Sequence, residues 1–185
     1  MIFDYKFPAS PTGQVVDDLV DHLRANLRDS NGVTLFSDER CERGEAQKIY
    51  TPAAEQCPLC HVWLDRATYK VKSVPAYPIQ NGGTITLLLI AFNNDPDRGK
   101  EFARTFDDLA FWVINALAHP DVALDADNNP GIAFENTWRG FEFGEFSIVD
   151  DLTMRDRFAR QYNLSEGFVL RGITLKFWTM GEIRP

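Results

Sequence analysis

The sequence is short of several things, and each shortage excludes something. It has no long hydrophobic run: its longest uninterrupted apolar stretches, 87–92 and 109–114, fall far short of the roughly 20 residues that a bilayer-spanning helix needs. Basic residues are in the minority, 19 Lys plus Arg against 27 Asp plus Glu for a net charge of −8. Nothing resembles the clustered cations that grip phosphates, so a sequence-specific nucleic-acid binder is not expected. The opening MIFDYKFPAS lacks the basic start and apolar centre of a secretory leader, which predicts a protein made and kept in a cytosol. No phosphate-cradling glycine loop, dinucleotide glycine pattern or G-x-S-x-G elbow occurs. Only three cysteines and three histidines are present among 185 residues.

What is present is apolar and aromatic material, 44% hydrophobic residues including 14 Phe, 5 Tyr and 4 Trp. A chain this long buries roughly 70% of its unfolded surface and needs no metal or disulfide to hold a core. No repeat and no Pro/Gly/Ser linker divides it, so 1–185 reads as a single domain. Val15, Val16, Leu19, Val20, Leu23 and Leu27 recur at helical spacing and predict a helix over 12–28, with His22 on its polar face. Asn31-Gly32 stops it. A short strand is expected over 33–36, then a polar loop over 37–56. Strands are expected at 61–65 and 84–92, the latter (TITLLLIAF) apolar on both faces and therefore central. The intervening 66–83, rich in Pro and Gly, predicts a hairpin with an excursion. Asp95-Pro96 opens a second helix to about 118, with Phe102, Phe106, Leu109, Val113 and Leu117 as its core stripe, widened by Trp112 and Ile114. His119-Pro120 ends it. Last come strands at 132–143 and 168–180 around a charged segment, 150–160. Short connections between strands predict an α+β fold: a largely antiparallel sheet with two main helices packed on one face.

The sharpest local motif is Cys57-Pro58-Leu59-Cys60-His61, which matches the C-x-x-C-H pattern of haem attachment. A metal or haem module on Cys57, Cys60 and His61 is therefore one alternative. Adding Cys41 gives a Cys3His set, although its spacing suits zinc poorly. Pairing of two among Cys41, Cys57 and Cys60, within the chain or between subunits, is a further use. The segment 125–131 starts like a calcium loop but has Pro130 in place of the turn glycine and Asn136 at the twelfth position, so it reads as an acidic turn. Neither His22 nor His119 has a nucleophile suggested beside it, and no enzyme is expected. Asp150, Asp151, Arg155, Asp156, Arg157 and Arg160 form a mixed-charge segment suited to setting register at a subunit interface.

The order of elements, VVDDLVDHLRANL, then CHVWLD and TITLLLIAF, then FDDLAFWVINALAHP, then ENTWRGFEF and FVLRGITLKFWTM, resembles the tail terminator and tail-completion proteins of long-tailed bacteriophages. The resemblance covers nearly the whole chain. It implies a non-catalytic structural protein without cofactor, forming a ring, usually a hexamer, that caps the tail tube and offers the head-joining surface. Its implied partners are further copies of itself, the tail tube protein, and a connector or neck protein, with DNA passing through the ring. The implied location is the virion neck, after assembly in the host cytoplasm. A head–tail connector of related fold is the nearest variant of this expectation.

Overall fold

The computed structural model describes residues 11–29, 31–37, 39–70, 79–118 and 142–181. His119, the acidic turn at 125–131 and most of the strand expected over 132–143 lie outside them. The described elements are α1 (Pro11–Asn26), β1 (Cys41–Arg43), β2 (Leu59–Lys70), β3 (Ile79–Phe92), α2 (Gly99–Ala118), β4 (Glu142–Val149), α3 (Asp151–Arg157) and β5 (Phe168–Gly181). Short 3-10 turns at Ala54–Gln56 and Pro96–Arg98 precede β2 and α2.

The five strands lie in the order β1-β2-β3-β5-β4. β1 runs parallel to β2, and every other pair is antiparallel. The fold is thus α+β with a largely antiparallel sheet. β3 sits in the middle, as its two-sided apolar sequence requires. Its alternation divides the core. Ile85, Leu87, Leu89 and Ala91 share one cluster with Val16, Leu19 and Leu23 of α1 and Phe106, Ala110 and Val113 of α2. Leu88 and Ile90 share the other with Met154 of α3, Phe158, Tyr50 and Tyr162.

Several expectations are corrected. Residues 33–36 form no strand: the Asp29 carboxylate accepts from the backbone N–H of Asn31 and Val33 at 2.9 and 2.8 Å. With Gly32 at φ +78°, that turn folds the chain back on α1, leaving Thr34 in an isolated bridge to Arg28 and Phe36 buried. The polar 37–56 stretch contains β1. In 66–83 the hairpin arms continue in register from Arg66↔Thr84 to Lys70↔Gln80, past an irregularity between Leu64 and Arg66. His22 is buried rather than on a solvated face; its Nε2 bonds the Ala116 carbonyl of α2 at 2.9 Å while Asn26 Nδ2 faces its Nδ1 at 3.1 Å. Trp112 is 56% exposed and stands outside the core stripe.

The charged 150–160 stretch holds the third helix. Asp150 caps it by accepting from Thr153 N at 2.9 Å, and Met154 and Phe158, four apart, put their apolar side on the sheet. This helix and the aromatics around it cover the sheet face opposite α1 and α2.

Candidate functional site

The thiol motif does not converge. Successive residues of a strand point to opposite faces, so Cys60 enters the α1 cluster whereas His61 faces the aromatic side, its ring 4.4 Å from that of Tyr50. One ion or haem iron cannot take both from this arrangement, and no cluster of three or more ligating side chains exists among the described residues. Cys57 lies half-buried in the turn before β2, its Sγ 3.9 Å from the Ala53 carbonyl. Burial pushes its thiol up to about 11, away from the thiolate form that a metal or electrophile requires. Cys41 and Cys60 are direct partners across β1 and β2, and both are fully buried. The hydrogen bond between them, with burial second, holds the Cys60 thiol well above its ordinary range.

His61 instead belongs to a buried polar chain. Trp63 Nε1–H donates to Tyr162 Oη at 3.3 Å, which leaves the tyrosine hydrogen for His61 Nδ1. His61 Nε2 then faces Glu42 Oε1 at 3.7 Å, and Glu42 is tied to Lys48 at 2.9 Å. Burial brings His61 down to about 4, against the opposing pull of Glu42, and drives the Tyr162 hydroxyl upward. At neutral pH the imidazole is uncharged, fixed between a hydroxyl and a carboxylate. The chain joins β1, β2 and the segment after α3, so its role is to hold three pieces of the fold together.

The six charged residues read as an interface segment divide. Asp151 Oδ1 accepts from Leu170 N at 2.6 Å, and its Oδ2 holds Arg155 Nε at 2.7 Å. Arg155 also donates to the Phe168 carbonyl. β4 pairs with β5 only as far as Val149↔Gly172, so α3 supplies polar partners to the edge of β5 beyond it. Arg157 pairs with Asp65 and donates to Thr86 Oγ1 at 3.1 Å, while Thr86 donates to Asp65 Oδ2 at 2.6 Å. With Asp150 as the cap, four of the six brace the fold; Asp156 and Arg160 remain exposed.

Apolar surface marks a different place. A groove of about 630 Å3 runs beside α2, walled by Phe102, Phe106, Leu109 and Trp112. Ala91 and Phe92 of β3, Leu35, and Ala54, Cys57 and Pro58 close its other side, with Arg28, Asp29 and Asp108 at the rim. Phe111, 58% exposed, meets Trp112 edge to face at 5.7 Å. On other elements, Ile148 of β4 is 50% and Leu152 of α3 is 75% exposed. Ile148 lies opposite Ile173 at the sheet edge. Trp112 is expected in the core stripe; the signal for its exposure is Asp108, one turn earlier on the same side of the helix, just as Asp107 precedes the exposed Phe111.

No model of a known protein family matches this chain, and a search of curated proteins finds no match either.

Proposed function

We propose that this protein is a structural subunit that assembles head to tail into a closed ring at the end of a bacteriophage tail, capping the tube and presenting the surface to which the head is joined. The observation that carries the reading is that large apolar side chains stand exposed on several elements of one chain, Val33 and Ile49 among them. Phe111 and Trp112 stand more than half exposed beside an open groove on α2, and Ile148 of β4 and Leu152 of α3 are exposed as well. Large exposed aromatics favour a partner. Exposed apolar groups on different elements fit a heterologous contact, in which each copy offers one surface to its neighbour and the other to the next, and such contacts make a ring where their rotation closes. Further support comes from α1, β2, β3, α2 and β5, which follow one another as VVDDLVDHLRANL, CHVWLD, TITLLLIAF, FDDLAFWVINALAHP and FVLRGITLKFWTM do in the order that resembles tail-end proteins, although β1 and α3 are additional and most of ENTWRGFEF lies outside the described residues. With −8 per subunit, the ring repels a passing DNA duplex instead of gripping it. In this reading the partners are other copies, the tube protein on one side and a connector or neck protein on the other, and the location is the virion neck.

The test is co-expression with the tube protein of the same phage, followed by negative-stain microscopy and native mass spectrometry. Rings seated at one end of the tubes are the expected result. Tubes with bare ends beside a monomeric protein would overturn the reading, and rings found on portals but never on tubes would move it to the connector.

A further inference from the structure

We infer that Cys41 and Cys60 are an oxidisable pair, a covalent staple between edge strand β1 and β2 that closes when the protein meets a small organic disulfide. The inference stands apart from the ring reading and rests on register and burial. The two cysteines are direct partners in the parallel β1–β2 ladder. Adjacent strands lie about 4.8 Å apart, inside the window of roughly 4.4–6.8 Å between Cα atoms that a disulfide spans, and side chains of partner residues leave the sheet on the same face. Both side chains are fully buried in the one apolar cluster that α1 covers. Cys41 Sγ sits 4.0 Å from the Val20 carbonyl of α1, so the pair lies beneath α1 and away from solvent. The third thiol, Cys57, belongs to the groove wall and is the odd one left by an odd count.

Position determines the consequence. β1 has three residues and, among the described residues, is the outermost strand on its side. Beyond its ladder with β2 it is held by Arg24 Nε donating to the Cys41 carbonyl at 2.9 Å, by the Cys41 N–H on Ser37 O at 3.1 Å, by Arg43 on Asp17 at 3.3 Å and by Glu42 facing His61 at 3.7 Å. Local opening of a three-residue edge strand costs less than unfolding the whole chain, and such opening admits the oxidant to thiols that are fully covered in the closed form. One thiol, as its thiolate, attacks the small disulfide and expels one small thiol. The second protein thiol attacks the mixed disulfide and expels the other. The protein loses two hydrogens and forms one S–S bond, while the oxidant is reduced to two thiols. The closed staple fixes β1 to the sheet and removes loop freedom from the unfolded chain, which raises stability.

The measurement uses the Cys57→Ser variant, in which only the two partners remain. Reduced protein is held under native conditions with oxidised glutathione, quenched with maleimide, and weighed intact. The expected product is a monomer lighter by two hydrogens, without maleimide, whose urea midpoint lies above that of the reduced form. Adding Cys41→Ser should abolish this product and leave one thiol that takes maleimide after unfolding. A stable glutathione adduct, a disulfide-linked dimer, or a mass unchanged after prolonged native incubation would each overturn the inference. So would a cross-link that forms only when urea has unfolded the chain.

Discussion

The Asp151 carboxylate accepts the backbone N–H of Leu170 at 2.6 Å, and so serves β5 where β4 no longer reaches it. The same carboxylate holds Arg155, which donates to the carbonyl two residues away at Phe168. A helix thereby completes a strand. Replacing Asp151 by Ala orphans an N–H and releases a guanidinium together, and should cost about 2 kcal/mol. Asp151→Asn, which keeps an acceptor oxygen, should cost less. Urea unfolding of the two variants checks the order, and equal losses would mean that the Leu170 bond contributes nothing.

His61 makes stability depend on pH. Its folded value, about 4, lies below its ordinary 6.5 because burial penalises the charged form. The unfolded chain therefore takes up a proton at higher pH than the folded one. The stabilisation is complete above pH 6.5 and is lost as pH falls through that value toward 4, by about 3 kcal/mol at most. His22, lowered by the burial that outweighs its bond to Ala116, acts in the same direction. A His61→Gln variant should be less stable at pH 7 and flatter between pH 6.5 and 4. Parallel curves for the variant and the parent would rule His61 out as the titrating group.

Two glycines should respond in opposite senses to alanine. A Cβ on Gly44 would lie 2.2 Å from Cε2 of the Trp63 indole, a rigid ring packed among Tyr50, Phe158 and Tyr162. Gly44→Ala should cost about 1–3 kcal/mol as an overpacked site and shift Trp63 emission. A Cβ on Gly99, which has helical backbone angles at the start of α2, meets nothing within 4 Å. Gly99→Ala should stabilise by about 0.4–1 kcal/mol. Thermal melts decide both signs.

The parts of the fold legible in the sequence are those whose own periodicity dictates them. α1 and α2 show apolar stripes at helical spacing, and 84–92 is apolar on both faces because it lies between two layers. β1 is not legible, since its three residues are held by β2 and by Arg24, partners distant in sequence. α3 was hidden by its charge, although Asp150 as a cap and the Met154–Phe158 spacing were there to be read. Cys57, Cys60 and His61 looked like one constellation because a sequence motif takes no account of strand alternation. His22 looked solvated because its partner, the Ala116 carbonyl, lies 94 residues away.

The exposed apolar side chains should matter for assembly and not for folding. Phe111→Ser with Trp112→Ser, and separately Ile148→Ser with Leu152→Ser, each replace side chains at least half exposed. Their unfolding midpoints should stay close to that of the parent, since substitutions outside the core usually change stability by about 0.5 kcal/mol or less. A large loss in either double variant would show that its patch is part of the core.

Mixing those two double variants is the most direct measurement of head-to-tail assembly. Each lacks one of the two surfaces and keeps the other, so each alone should stay monomeric and leave tail tubes uncapped. Mixed at equal amounts, they should form a one-to-one dimer through the intact pair of surfaces and go no further, while the parent protein forms closed rings on tube ends. Native mass spectrometry with microscopy of the tubes reads both outcomes. Rings from either double variant alone, or a mixture that remains entirely monomeric while the parent assembles, would contradict the account.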